Sequence, residues 1–122
     1  MWTYRQSNGA LLRDGEPIAT GYSGYGAHAN LAADETLKAL GPIPRGRYTI
    51  GAPEALDGGP HGPFVLPLDA HPDNEMLGRS GFLMHGDNSE GNHTASMGCI
   101  ILPRATRVLV AQSGDTDLEV TT

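Results

Sequence analysis

The length and charge of the chain narrow the classes of protein to which it can belong. It has 122 residues, with 14 acidic and 8 basic side chains and a formal net charge of -6. A chain of this length can fold as one domain, residues 1–122, because it can bury roughly two-thirds of its unfolded surface. Nucleic acid and anionic membranes are poor partners for an acidic surface, so we expect neither to bind.

Cysteine content and hydropathy exclude further classes. The single cysteine, Cys99, excludes an internal disulfide and any site built from several cysteines. No apolar run is long enough for a signal peptide or a membrane-spanning helix. We therefore expect no membrane insertion, and export of this chain would need another machine or a further segment.

The order of strand and turn signals predicts a mostly β domain. Glycine and proline, at 17 and 9 residues, favour short strands joined by tight turns. A hairpin is predicted around Ser7-Asn8-Gly9, a short helical stretch at 35–40 and a turn-rich surface segment at 51–63. The other predicted elements are strands at 17–22, 47–50, 64–68, 81–85, 99–102 and 118–120 and a helix at 105–112. The expected fold is a small β-sandwich or barrel with one or two short helices.

Two reactive side chains stand at the ends of neighbouring apolar strands. His85 leaves the strand at 81–85, and Cys99 enters the strand at 99–102 after a polar loop. An unperturbed thiol has a pKa of about 8.5 and is mostly protonated at neutral pH, so it needs a neighbouring base. We therefore predict that Cys99 is a nucleophile and His85 its base, and that an ion pair between them lowers the pKa of the thiol.

The glycines around the two residues suit the same chemistry. Gly98 allows a tight turn, so the amides of Gly98 and Cys99 could face a developing oxyanion. Either the Gly86 carbonyl or the Asp87 carboxylate could fix the tautomer of His85, and the sequence does not decide between them.

Other polar residues near the pair have two interpretations each. Arg79 could clamp a substrate carboxylate, or it could be a solvated turn residue or part of a structural ion pair. Ser96 could bind substrate or hold the loop before Cys99. Asp87 is a further candidate for contact with substrate. Tyr22 and Asn30 could line a cleft.

The remaining histidines suggest weaker alternatives. His93 is a rival base, although a solvated loop residue is the simpler interpretation. A zinc site of His85, Asp87, His93 and Cys99 is conceivable, but its spacing is not that of a helix-borne or paired-cysteine site, and the thiol would then be a ligand and not a nucleophile. For His28, His61 and His71 we expect exposure to solvent, and we predict neither a metal nor a cofactor.

The segment around the predicted nucleophile resembles the L,D-transpeptidase (YkuD-like) catalytic domain. His85-Gly86 matches the histidine-glycine pair of that family, and Ser96, Gly98, Cys99 and Ile100 match its Ser-His-Gly-Cys motif. The segment 42–50 is similar to an upstream strand of the same family. Met97 stands where the motif has histidine, and Ile101 where it has arginine or asparagine. The resemblance therefore implies that the residues anchoring substrate beside Cys99 differ here, with Met97 among them.

A narrower group is similar to the chain over nearly its whole length: the Tlde-type family of type VI secretion antibacterial effectors. The segments that carry this resemblance are Trp2-Thr3-Tyr4, Gly21-Tyr22-Ser23-Gly24, residues 41–48, Gly78-Arg79-Ser80-Gly81-Phe82, His85-Gly86-Asp87 and Ser113-Gly114-Asp115. It implies injection into a rival bacterium, action in the periplasm and a cognate immunity protein as partner. It also implies that the enzyme trims peptidoglycan stem tetrapeptides as an L,D-carboxypeptidase, or exchanges their terminal D-amino acid.

Two other functions fit parts of the same pattern. A housekeeping L,D-transpeptidase would crosslink the wall of its own cell, and it would be expected to carry an export signal or anchor. A catalytically silent module would bind peptidoglycan or a protein partner, with Cys99 as an unactivated thiol.

Overall fold

The computed structural model describes residues 1–54 and 64–122, and most of its regular structure is one sheet. Within these ranges the strands are β1 Trp2–Arg5, β2 Ala10–Arg13, β3 Glu16–Thr20, β4 Tyr22–Ser23, β5 Gly46–Ile50, β6 Leu66–Ala70, β7 Leu83–His85, β8 Ile100–Ile101 and β9 Asp117–Thr121. One α-helix, α1, covers Arg104–Gln112, and two 3₁₀ turns cover Gly26–His28 and Ala32–Asp34. The prediction of a mostly β fold with a short helix is confirmed.

The sheet curls into a nearly closed barrel because its two edge strands are consecutive in the chain. The strand order is β3-β2-β1-β9-β5-β6-β7-β8-β4, so β3 and β4 lie at opposite edges. Only Gly21 separates them, and its N–H donates to the Gly9 carbonyl at 2.8 Å. A Cβ at Gly21 would lie 1.9 Å from the Ile101 carbonyl oxygen, so a side chain would not fit at this junction. The barrel therefore brings β4 beside β8, next to the predicted nucleophile.

The register of β7 and β8 decides which side chains enter the core. The two strands are parallel, with Met84 opposite Ile100 and His85 opposite Ile101. Met84 and Ile100 are fully buried in the hydrophobic core. Since side chains alternate along a strand, His85 and Ile101 point to the opposite face of the sheet. The core is formed by Trp2, Tyr4, Leu11, Ile43, Tyr48, Ile50, Leu66, Leu68, Phe82, Met84, Ile100, Leu102, Val110, Leu118 and Val120.

Several sequence-predicted elements differ from the structure in extent. The predicted helix at 35–40 is wrong: the segment forms successive turns, with i to i−3 hydrogen bonds at Leu37 and Leu40. Ala39 has a φ of +63°, which an α-helix does not allow. The strands predicted at 64–68, 81–85 and 99–102 are shifted or shorter, and the segment predicted at 51–63, with His61, lies largely outside the described residues. Among residues 1–54 and 64–122, none of the helices has the length and hydrophobicity that a membrane span requires.

Candidate active site

Cys99 and His85 lie on the same face of the sheet, two residues apart along neighbouring strands. Cys99 immediately precedes β8, and extending the β7–β8 register places it opposite Leu83. A hydrogen bond from the Leu83 backbone reaches the Cys99 thiol. Leu83 and His85 alternate around the core residue Met84, so their side chains share the face away from the core. The thiol is partly exposed, whereas the imidazole is 2 % exposed.

The hydrogen bond of His85 defines which of its nitrogens is basic. Nδ1 lies 2.8 Å from the Gly86 carbonyl oxygen. A carbonyl oxygen only accepts hydrogen bonds, so Nδ1 donates and the neutral ring carries its hydrogen there. Nε2 is then the nitrogen that can take a proton. Of the two partners that the sequence left open, the Gly86 carbonyl holds the ring.

The segment that carries this carbonyl is braced from behind by helix α1. The Arg107 guanidinium of α1 donates to the Phe64 carbonyl at 2.6 Å and to the Leu102 carbonyl at 3.1 Å. A Cβ at Gly86 would lie 2.8 Å from Arg107 Nη2, so glycine lets the strand end approach the guanidinium closely. The geometry of Gly86 thus depends on the helix that follows β8.

The electrostatic environment of Cys99 differs from the sequence-based expectation. Burial raises the pKa of the thiol above its ordinary value, although the Leu83 hydrogen bond and the Arg79 cation both act to lower the same pKa. The prediction of a lowered thiol pKa is therefore wrong, because removal from water disfavours the thiolate. Cys99 is a neutral thiol at pH 7, and its proton must leave during the reaction.

Ser96 holds the turn that leads into Cys99. Its hydroxyl donates to the Cys99 carbonyl at 2.6 Å and accepts the amides of Gly24 at 3.0 Å and Gly98 at 3.1 Å. The side chain is fully buried, and these three bonds use its one hydrogen and both lone pairs. Of the two interpretations of Ser96, the geometry favours support of the loop over contact with substrate.

The same bonds require a correction at the predicted oxyanion site. The Gly98 N–H already donates to Ser96 Oγ, so in this conformation it does not face a substrate. The φ of Gly98, +132°, lies in a region that only glycine adopts readily, and it turns this amide inward. The amide of Cys99 as an oxyanion donor remains a prediction.

Replacing Ser96 by alanine is expected to destabilise the protein by about 1–3 kcal/mol, because buried amides and a carbonyl lose their partner. The measurement is chemical denaturation, with Ser113→Ala as the control. The Ser113 hydroxyl also donates to a backbone carbonyl, that of Val110 at 2.7 Å, but this bond lies at the end of α1 and not in the turn before Cys99. A higher KM with unchanged stability would contradict the structural role and support contact with substrate.

Strand β4 contributes a serine that the sequence analysis did not single out. Ser23 Oγ is fully buried, donates to the Gly98 carbonyl at 2.8 Å and accepts the Ile43 amide at 2.9 Å. The Asn30 side chain, once considered for a cleft, instead accepts the Ser23 amide at 3.4 Å. The sequence signal that could have identified Ser23 is its position in Gly21-Tyr22-Ser23-Gly24, one of the segments that resemble the Tlde-type family.

Tyr22 fastens the polar loop that joins β7 to β8. Its hydroxyl donates to Asp87 Oδ1 at 2.7 Å and accepts the Ala95 amide at 3.2 Å, so it binds both ends of that loop. Burial and the Asp87 hydrogen bond raise the pKa of the Tyr22 hydroxyl, which stays protonated. The proposed substrate contact of Asp87 therefore has a different structural partner in this conformation.

His93, the rival base, packs on the ring of Tyr22. The ring centroids are 4.3 Å apart. Its backbone carbonyl accepts the Gly26 amide at 2.7 Å, which fixes the middle of the loop. Over residues 1–54 and 64–122, no group of three or more His, Cys, Asp or Glu side chains could hold a metal ion.

Arg79 lies beside the nucleophile, and its guanidinium is occupied by hydrogen bonds to the backbone. Its Nη1 donates to the carbonyls of Glu35 at 2.6 Å and Pro42 at 2.7 Å, and its Nη2 donates to those of Gly41 at 2.9 Å and Met97 at 3.2 Å. The side chain is 6 % exposed. The predicted bidentate clamp on a substrate carboxylate is therefore incorrect for this conformation, because the fork is already occupied.

Met97 presents the most accessible surface next to the nucleophile. Its side chain is 65 % exposed, more than any other large apolar side chain among the described residues. It borders a surface recess together with Lys38, Ala39, Arg79, Ser80 and Phe82. A second recess, which includes Leu83 and Ser80, continues along β6 and β7. The two recesses share Arg79, Ser80 and Phe82, so an extended ligand could lie along both of them.

The assembled residues can support nucleophilic catalysis with proton transfer. The turn at 96–99 places a partly exposed thiol beside the sheet, and the basic nitrogen of His85 belongs to the same face. Thiol attack on an acyl carbon, with an imidazole as proton acceptor and then donor, is the reaction class that such a pair serves.

Comparison with known families places this arrangement in context. Residues 18–119 match the Tlde1 domain, which covers nearly the whole chain and includes all the site residues described above. A search of curated proteins gave no match. The chain belongs to the Tlde1 domain family, a family of type VI secretion effectors.

Proposed function

We propose that this protein is a cysteine enzyme that acts on peptidoglycan stem tetrapeptides as an L,D-carboxypeptidase, an L,D-transpeptidase that exchanges the terminal D-amino acid, or both. The observation that carries the proposal is the shared sheet face of Cys99 and His85, with the imidazole fixed by Gly86. Membership of an effector family and the resemblance of the His85 and Cys99 segments to L,D-transpeptidases support the choice of substrate.

The proposed reaction begins with proton transfer from the Cys99 thiol to His85 Nε2. The sulfur attacks the carbonyl carbon of the L-centre of the third, diamino-acid residue. The bond to the terminal D-alanine breaks, His85 returns the proton to the departing amine, and a thioester remains on Cys99. Water then yields a tripeptide, whereas an incoming D-amino acid yields an exchanged tetrapeptide. His85 removes the proton from either acceptor.

The resting state of the thiol fits base-assisted attack. Burial keeps Cys99 protonated at rest, so the thiolate forms only when His85 takes the thiol proton during attack. Nδ1 of His85 donates to Gly86, which stabilises the ring as it becomes positively charged. Slow alkylation of the resting thiol would therefore not distinguish this enzyme from a silent binding module, and turnover has to be measured.

The test is mass spectrometry of disaccharide-tetrapeptide incubated with the protein, with and without an added D-amino acid. Loss of one D-alanine indicates hydrolysis, and its replacement by the added amino acid indicates exchange. A crosslinked dimer would instead support wall synthesis. Cys99→Ala is the matched control, since it removes one sulfur atom from a partly exposed site. Intact substrate with the folded wild type would overturn the proposal.

Substitution of Met97 by glutamate is expected to lower kcat/KM about 10-fold, because an acidic side chain would repel the carboxylates of the stem peptide. The side chain is exposed, so the melting temperature should stay within about 1–2 °C of the wild type. Leu109→Glu, at an exposed apolar position on α1, is the matched control and should leave kcat/KM unchanged. Equal kinetics for Met97→Glu and wild type would remove Met97 from the substrate path.

Membership of an effector family also suggests where the enzyme acts and which protein inhibits it. We propose injection by a type VI secretion system and action in the periplasm of the recipient, where stem peptides are exposed. The producing cell would need an immunity protein that covers the cleft at Met97 and Cys99. Purified immunity protein is expected to stop tetrapeptide turnover, and Met97→Glu should weaken that inhibition.

A further inference from the structure

Arg79 is a buried cation whose bonds go to uncharged groups. Its guanidinium donates four hydrogen bonds, all to backbone carbonyls, and the side chain is 6 % exposed. Among the described residues no carboxylate forms an ion pair with it, unlike Arg45, which pairs with Glu35 at 2.8 Å. Four carbonyl dipoles hold this cation in place but do not cancel its charge.

The guanidinium is pressed against the turn that carries the nucleophile. Nη2 donates to the Met97 carbonyl at 3.2 Å, and a Cβ at Gly98 would lie only 2.5 Å from the same nitrogen. The cation also stacks over the Phe82 ring, 5.3 Å from its centroid, which fixes its plane. The charge of Arg79 acts to lower the pKa of Cys99, the residue after Gly98.

The other ionisable groups around Arg79 do not supply its counter-charge. The nearest carboxylate in electrostatic terms, Glu35, is engaged by Arg45 and by Gln6 Nε2 at 3.1 Å. The Tyr48 hydroxyl donates to the Pro44 carbonyl at 2.7 Å, and burial raises its pKa, so it stays neutral. Cys99 is the remaining group that becomes an anion, and His85 faces it from β7 as the proton acceptor.

We propose that Arg79 is an electrostatic positioning residue that stabilises the anionic sulfur of Cys99 during attack. The guanidinium transfers no proton; the thiol proton goes to His85, and the fixed positive charge offsets the negative charge left on sulfur. The inference rests on the proposed function for its catalytic meaning, since attack by Cys99 is part of that function. Hydrogen bonds to four backbone carbonyls, those of Glu35, Gly41, Pro42 and Met97, hold the charge in place when the thiolate forms.

The test is the rate at which iodoacetamide alkylates Cys99, the one cysteine of the chain, at pH 8. Below the thiol pKa the rate follows the thiolate fraction, so Arg79→Gln is expected to react about 10-fold more slowly. Arg79→Lys keeps the charge and should react within about threefold of wild type. Arg13→Gln is the matched control, because the Arg13 guanidinium also stacks on an aromatic ring, 5.3 Å from the Trp2 centroid, and its rate should stay within about twofold.

A merely structural role for Arg79 gives the opposite sign. Loosening of the turn would expose the thiol and accelerate alkylation, so an unchanged or faster rate for folded Arg79→Gln would overturn the inference. If Arg79→Gln does not fold, Arg79→Lys carries the test, and a 10-fold change in either direction would overturn it. The assay needs no peptidoglycan. Its outcome is therefore independent of the tetrapeptide assay, which alone tests the proposed function.

Discussion

Replacing Cys99 by alanine, His85 by glutamine, or both together is expected to lower tetrapeptide turnover by a similar factor, about 10³-fold or more. The reason is that the two side chains act as one unit: without the base the half-buried thiol keeps its proton, and without the sulfur the base has no nucleophile to activate. The measurement is the initial rate of D-alanine release, followed by mass spectrometry for each single variant and for the double variant.

His93→Gln is the matched control for this prediction. The two histidines are eight positions apart, but His93 packs on Tyr22 and not on the face that Cys99 and His85 share. We expect His93→Gln to keep turnover within about threefold of wild type. Because His85 is buried, thermal melting must show that His85→Gln is folded before its rate is interpreted. Full activity of folded His85→Gln, or loss of activity in His93→Gln alone, would show that His85 is not the base.

The sequence predicted the parts of the site that depend on local pattern. Apolar strands ending at His85 and beginning near Cys99 can be recognised from composition, and the hairpin around Ser7-Asn8-Gly9 forms as expected. The parallel register of β7 and β8 then places thiol and imidazole on one face. The strand ends and the hairpin follow from neighbouring residues, so a single sequence carries enough information to predict them, whereas the parallel pairing of β7 and β8 is a tertiary contact.

Other parts of the site depend on contacts between distant segments. The carbonyls around Arg79 come from Glu35, Gly41, Pro42 and Met97, which no local pattern brings together. Ser96 likewise bonds Gly24 because β4, from the start of the chain, pairs with β8. The raised pKa of Cys99 is a consequence of this burial. Because of long-range packing, the guanidinium of Arg79 binds backbone carbonyls where the sequence predicted a substrate clamp. For the same reason Cys99 is a thiol where the sequence predicted a thiolate.

Substitution of Gly98 by alanine is expected to destabilise the protein by about 2–5 kcal/mol and to reduce turnover about 10²-fold or more. An added Cβ would lie 2.5 Å from Arg79 Nη2 and 2.7 Å from Phe82 Cε1. The backbone φ of +132° is also strained for any residue with a side chain. Relief of the clash must move either the caged guanidinium or the turn that carries Cys99, and both movements disturb the nucleophile.

Gly15→Ala separates the clash at Gly98 from the conformational strain. Gly15 has a φ of +85°, but a Cβ there would meet nothing within 4 Å, and it lies in the β2–β3 turn. This variant should lose about 1–2 kcal/mol of stability and retain wild-type kcat at a temperature where both variants are folded. The measurements are chemical denaturation and initial rates at that temperature. If folded Gly98→Ala turns over substrate as fast as Gly15→Ala, close packing of Arg79 and Phe82 against the turn is not required for catalysis.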